Sequence, residues 1–245
     1  MDVARHLLDI SSIAPVVLAK DLLVPVPEVF HQLLPSAGLQ RGWTTRVGGS
    51  RTGRAFIWAL LSDVTRRGGW IAAVDVPGIS LSAASEVGLS IERVLIVSSE
   101  DGSSWSAAMG ALIGSVDAIV FGTPHHRIQP SMHRRLASRC RERGTIMVEL
   151  ASGRGPDQER RRQPMEPDVS FEIAVNQWDG LGNGYGRLHA RAVQVSAFGR
   201  RIPGRARSGE FLIPDTDGTV RSVSESVGSV AVSYTHLTLP TILLV

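Results

Sequence analysis

The stretch Thr44-Thr45-Arg46-Val47-Gly48-Gly49-Ser50-Arg51-Thr52-Gly53-Arg54-Ala55 decides how the chain is read. Residues 44–47 have strand character, and the apolar periodicity of residues 53–67 predicts a helix, so the glycines lie on a strand-to-helix turn. Gly48 and Gly53 have the G-x-x-x-x-G spacing that curls backbone N–H groups around a phosphate at a helix N-terminus. The two side chains that complete the chemistry are absent. Arg54 stands where a phosphate-binding lysine belongs, and its planar fork is no neutral replacement for an ammonium. Ala55 stands where a hydroxyl ligates magnesium. Gly48, Gly49, Gly53 and Arg54 are therefore candidates for residual phosphate or ATP binding only; no cofactor, metal ion or catalytic residue is expected.

Working outward, strand and helix signals alternate. Strands are expected at residues 70–74, 93–97, 118–121 and 145–150, and helices at 80–87, 104–113 and 131–143, which implies an α/β domain with a mainly parallel sheet. Two further positions at strand ends bear on nucleotide hydrolysis. The strand Ala118-Ile119-Val120-Phe121 runs into Gly122, where a magnesium-site carboxylate is needed, and Asp117 lies at the opposite end, about 15 Å away. After Val74, Asp75 is the sole carboxylate and Pro77 follows it, so Asp75 reads as a turn carboxylate and not as a base.

Before this core, residues 1–35 form an N-terminal helical segment, and the core spans 36–150. Residues 151–168 are rich in proline and arginine and read as a solvated linker. In the C-terminal region, 169–230, strand signals at 171–176, 188–196 and 210–213 imply a small antiparallel meander. Residues 231–245 include Ser233-Tyr234-Thr235-His236-Leu237-Thr238-Leu239-Pro240-Thr241. This run resembles translated sequencing-adapter DNA, so the tail is expected to be non-native.

Composition narrows the chemistry. Of the 26 basic residues, Lys20 is the sole lysine, which removes nearly all chemistry that needs an ammonium. A single cysteine, Cys140, permits neither an internal disulfide nor a multi-cysteine zinc site. Cys140, Leu136 and Met132 fall on one helix face and are expected in the core. No apolar run approaches the ~18 residues of a membrane span, and no secretory signal is evident, so the chain is expected in the cytoplasm. His125 and His126 follow a strand exit without a ligand set around them and are read as a loop.

Charge is segregated. Residues 127–162 carry ten arginines against four acids and residues 187–207 carry six arginines and no acid, whereas residues 75–122 carry six acids and one arginine. Trp178, Tyr185 and Phe198 interleave with Arg187, Arg191, Arg200 and Arg201. Such a pattern forms either a stacking and phosphate-contact surface or the cover of a sheet edge.

Residues 29–124 resemble the core of RecA-type recombinases in the order of their motifs. That order comprises the Leu39-Gln40-Arg41-Gly42 loop, the glycine loop, Val74-Asp75, and the run Ala84-Ser85-Glu86-Val87-Gly88-Leu89. The departures fall at the chemistry: Gly122 matches the metal-site aspartate and Pro77 the catalytic glutamate. Over residues 29–213 the chain is similar to the ImuA-prime type of RecA-like accessory protein, through Trp178-Asp179-Gly180-Leu181-Gly182-Asn183-Gly184-Tyr185-Gly186-Arg187, Arg191 and Gly199-Arg200-Arg201. That resemblance implies a non-catalytic scaffold in DNA repair and SOS mutagenesis. It also implies as partners an ImuB-like Y-family polymerase homologue and an error-prone C-family DNA polymerase, with single-stranded DNA as a further contact. Trp178, Arg187, Arg191, Arg200 and Arg201 are the implied contact residues. The alternatives are a RecA-type DNA-dependent ATPase or ATP-binding SOS regulator, and an ATP-independent cell-division or SOS regulator on the same fold.

Overall fold

A computed structural model describes residues 22–49, 52–122, 129–151, 167–181 and 186–223. His125, His126, the tail at 231–245 and most of the N-terminal and linker segments lie outside these residues.

The strand after the opening residues is β1 (Leu23–Pro25), followed by a 3-10 turn at Glu28–Leu33 and by β2 (Gly38–Gln40), which pairs antiparallel with β1. The core begins with β3 (Thr44–Gly49), α1 (Thr52–Arg66) and β4 (Ile71–Val74), and continues through α2 (Leu81–Glu86), β5 (Val94–Val97) and α3 (Gly102–Leu112). It is completed by β6 (Ala118–Gly122), α4 (Pro130–Arg143) and β7 (Ile146–Leu150). Then come β8 (Val169–Leu181), β9 (Gly186–Phe198), β10 (Arg207–Leu212) and β11 (Arg221–Ser222).

Local chemistry starts and stops these elements. Asp101 accepts from the Ser104 N–H at 2.8 Å while the Ser104 hydroxyl accepts from the Asp101 N–H at 3.0 Å, a reciprocal cap that opens α3. Pro130 opens α4, and Gly144 closes it with φ of 73°, a left-handed conformation that glycine adopts at no steric cost. β4 and β6 are buried at every position, as strands covered on both faces must be, which is why they read as unbroken apolar runs.

The nine-stranded sheet has the order β11-β10-β9-β8-β3-β7-β6-β4-β5. From β8 to β5 neighbouring strands are parallel, and from β8 to β11 they are antiparallel. The meander expected after the core is therefore no separate layer. β8 pairs with β3 in parallel from Thr45↔Val169 to Gly49↔Ile173, and carries the sheet on through β9. Strands β8 and β9 are also longer than the apolar alternation indicates, because both extend past the core into a ladder with bulges near Val175 and Asp179.

One sheet face packs against α1, whose Phe56, Ile57, Leu60 and Leu61 are fully buried; the other packs against α3 and α4 around Trp105, Met109, Leu136 and Cys140. Cys140 thus takes the core position expected of it, and burial pushes its thiol up to about 12. A chain of rings ties distant parts of the chain to α1: Phe56 lies 5.3 Å from Phe30 of the N-terminal 3-10 turn and 5.1 Å from Phe171 of β8, and Phe30 lies 5.2 Å from Phe211 of β10. Asp168, expected in a solvated linker, is instead buried at the start of β8.

Candidate functional site

The carboxyl ends of β3, β4, β6 and β7 converge on one edge of the sheet, where open α/β folds place ligands. Gly48 and Gly49 end β3, Asp75 follows β4, and Gly122 ends β6. The tertiary structure thus assembles the three stretches that the sequence singles out for nucleotide chemistry.

The ends of β4 and β6 close on each other with the protein's own atoms. Asp75 has φ of 48°, the one non-glycine residue with positive φ among those described. Its carboxylate is held by the Ser99 backbone N–H at 2.8 Å and by the Ser99 hydroxyl. It is a turn carboxylate, as expected. The same turn aims the Asp75 carbonyl at Gly122: a Cβ on Gly122 would lie 2.3 Å from that oxygen and 2.9 Å from Pro77 Cδ. Any side chain at 122, an aspartate included, would displace the β4 turn.

At the glycine loop, a Cβ on Gly48 would meet a Glu172 carboxylate oxygen at 2.5 Å. Burial pushes the Glu172 carboxyl above its ordinary range, with Arg46 acting in the opposite direction. Gly53 packs closely too, since a Cβ there would sit 3.3 Å from Val47 Cγ1, a contact the side chain would have to relieve by a small shift. Arg54 extends over the turn after β4, its guanidinium carbon 3.8 Å from where a Gly78 Cβ would be. Among the described residues it makes no ion pair. Asp117, at the far end of β6, is used in the fold: it pairs with Arg41 at 2.9 Å and accepts from the Trp70 N–H at 3.0 Å.

The second group of candidates lies on the β8–β9 side. Arg200 and Arg201, expected as partner or nucleic-acid contacts, both reach the buried Asp168 while their own side chains stay about half exposed. Arg200 approaches its Oδ1 at 2.6 Å and Arg201 at 3.5 Å, while the Thr44 N–H and hydroxyl donate to Oδ2 at 3.0 Å each. Burial raises the Asp168 pKa, but these donors outweigh it and hold the carboxyl below its ordinary value. The pair is thus engaged in anchoring β8 to β3, an attachment that charge counting does not reveal.

Arg191 and Trp178 face each other across β8 and β9 in direct register, with the guanidinium carbon 4.9 Å from the indole centroid. Arg191 is buried and donates from Nε to the Ile213 carbonyl at 2.7 Å; Trp178 is 45% exposed. Arg187 belongs to β9, and its side chain lies outside those described. Phe198 is exposed at the other end of β9. The candidates thus separate into an Asp168 clamp and a Trp178–Arg191 pair, a division that neither the contact-surface nor the sheet-edge reading of the sequence contains.

Among the described residues no cluster of histidine, cysteine or carboxylate side chains has the makings of a metal site, and no helix is long and apolar enough to cross a membrane.

Comparison with known proteins agrees with this architecture. The fold matches that of a crystallised RadB recombinase with a TM-score of 0.55, covering 80% of this chain and 97% of that one at 14% identity. At that identity the likeness concerns the fold, which is RecA-like. An uncharacterised protein of Mycobacterium tuberculosis, Rv3395c, is 28% identical over 148 residues, which span 60% of this chain and 70% of the relative. Residues 32–155, just over half of the 245, match the family described as the MT3502 N-terminal domain, and the chain belongs to that family.

Proposed function

We propose that the chain is a non-catalytic RecA-like accessory protein of DNA repair and damage-induced mutagenesis. Its work is contact with an ImuB-like Y-family polymerase homologue and an error-prone C-family DNA polymerase, with single-stranded DNA as a further contact. The observation that carries the non-catalytic part is the closed strand end at β6, where the Asp75 carbonyl fills the space a metal-binding side chain at 122 would need. Arg54 and Ala55 support it, because they remove the ammonium and hydroxyl that stabilise phosphoryl transfer. The polymerase contacts rest on the resemblance of the order of motifs over residues 29–213 to the ImuA-prime type.

Two measurements test this reading. Purified protein with ATP, magnesium and single-stranded DNA should show no turnover above a buffer blank, since each missing transition-state donor is worth roughly 3 kcal/mol. Turnover that a Gly53→Asp change abolishes would overturn the non-catalytic part and favour a DNA-dependent ATPase. Capture of the tagged protein from DNA-damaged cells should recover the polymerase homologue; recovery of septum proteins in its place points to a cell-division regulator.

A further inference from the structure

The Arg191 guanidinium has an unbalanced position. Its residue is 9% exposed, its Nε is taken by the Ile213 carbonyl, and the Trp178 ring lies over it. Among the described residues the two terminal nitrogens have neither a carboxylate nor another acceptor. Arg200, Arg201 and Arg221, by contrast, all reach aspartates. Burial lowers the Arg191 pKa, and among the described residues no carboxylate opposes that effect. A buried cation without a counter-ion is costly, and an incoming anion offsets that cost.

The surroundings define what kind of anion fits. Trp178 and Val175, 45% and 37% exposed, offer apolar surface on the same strand. Asp179 follows Trp178, and Asp215 and Asp217, which hold Arg221, lie just beyond Ile213. Arg221 offsets one of these three carboxylates, and the other two leave no net positive charge around Arg191 among the described side chains, so a polyanion meets no attractive field and a nucleic-acid backbone is disfavoured. A single carboxylate carried on an apolar segment meets both the cation and the exposed ring, and Trp and Arg are the residues that most often anchor such contacts.

We propose that the Trp178–Arg191 pair is a docking site for a partner-protein segment that presents one carboxylate next to an aliphatic or aromatic side chain. This rests on the accessory-protein reading and names the chemistry of its contact.

The test uses the full chain and an array of acetylated octapeptides. In each, one aspartate or glutamate adjoins leucine or phenylalanine, and each has its asparagine or glutamine counterpart beside it; a thymidine oligonucleotide serves as the polyanion. Acidic peptides should bind, lose at least tenfold in affinity in their amide form, and lose at least tenfold against Trp178→Ala and Arg191→Lys. Should Arg191→Lys melt early, Trp178→Glu, a surface change that adds a repelling carboxylate, carries the comparison. Equal binding of the amide forms, binding unmoved by the Trp178 changes, or no binding by any acidic peptide overturns the proposal. Oligonucleotide binding that Trp178→Ala abolishes, with the peptides silent, makes the pair a nucleic-acid contact instead. ATP turnover by the same preparation bears on the proposed function alone, so the two readings fail separately.

Discussion

At Gly122 the absence of a side chain is enforced by a neighbour. The Asp75 carbonyl, turned by a positive φ that Ser99 helps to hold, stands 2.3 Å from where a Cβ would lie. Gly122→Asp should therefore restore no metal binding and should destabilise the protein by about 2 kcal/mol, as overpacking does. Chemical denaturation and magnesium titration check the two halves of that expectation. Asp168 behaves in the opposite sense, since its carboxylate satisfies donors from β3 and two arginines. Asp168→Ala leaves the Thr44 N–H and hydroxyl without that acceptor and should cost about 3 kcal/mol. Because the folded-state pKa is depressed, the stabilisation is fully present above the ordinary carboxylate value and is lost as the pH falls through Asp168's own lower value. Urea unfolding of the wild type and of Asp168→Ala across the acid range should show their stabilities converging at low pH.

At the scale of elements, edge and ladder differ in how far they are covered. β5 is the terminal strand of the sheet, and its Val-Leu-Ile-Val run carries no lysine, proline or bulge; Leu95 and Ile96 are exposed. Such an edge invites pairing with other chains. Ile96→Lys should slow aggregation in a light-scattering assay while moving the melting temperature by less than a degree or two. The β8–β9 ladder makes a sharper contrast between two tryptophans. Trp105 of α3 is fully buried against Phe121, with ring centroids 5.9 Å apart, and Trp105→Ala should cost roughly 3–5 kcal/mol. Trp178→Ala gives up a half-exposed ring and its contact with Arg191, and should cost about 1 kcal/mol. Thermal denaturation of the two variants side by side checks both values, and a large loss at Trp178 would mark it as a core residue.

For the whole molecule, the continuous sheet joins the two parts that composition separates. β8 lies beside β3 at the centre, and Phe171, Val193, Val195 and Phe211 share one core with α1 and the N-terminal turn. A chain cut after residue 168 would expose the β3 edge and remove those rings, so it should be unfolded by circular dichroism. The intact chain should melt in one transition, with calorimetric and van't Hoff enthalpies equal. Segregated charge belongs to this scale too. If the arginine-rich segments reach nucleic-acid phosphates, binding of a single-stranded oligonucleotide should weaken steeply with salt. Because Arg200 and Arg201 hold Asp168, charge reversal there would cost stability as well as binding. The basic exposed face of α4, with Arg134, Arg135 and Arg141, is the cleaner place to test that contact.

Features that depend on near neighbours are legible in the sequence. Alternating strand and helix periods, the capping Asp101, the closing Gly144, the apolar runs of β4 and β6, and the helix face that buries Cys140 are all written within a few residues of one another. So is the loss of lysine and hydroxyl at Arg54 and Ala55. The short β1–β2 pair is not legible in the sequence, because three residues carry no readable period. Long-range assembly alone closes Gly122 with Asp75, joins β8 to β3, brings Arg200 and Arg201 to the buried Asp168, and sets Arg191 against Trp178 with no carboxylate beside it among the described residues. Each of these depends on groups brought together from distant positions. Thr44 and Asp168 are 124 residues apart, and no local pattern of charge or hydrophobicity distinguishes an arginine bound to a buried carboxylate from one facing water.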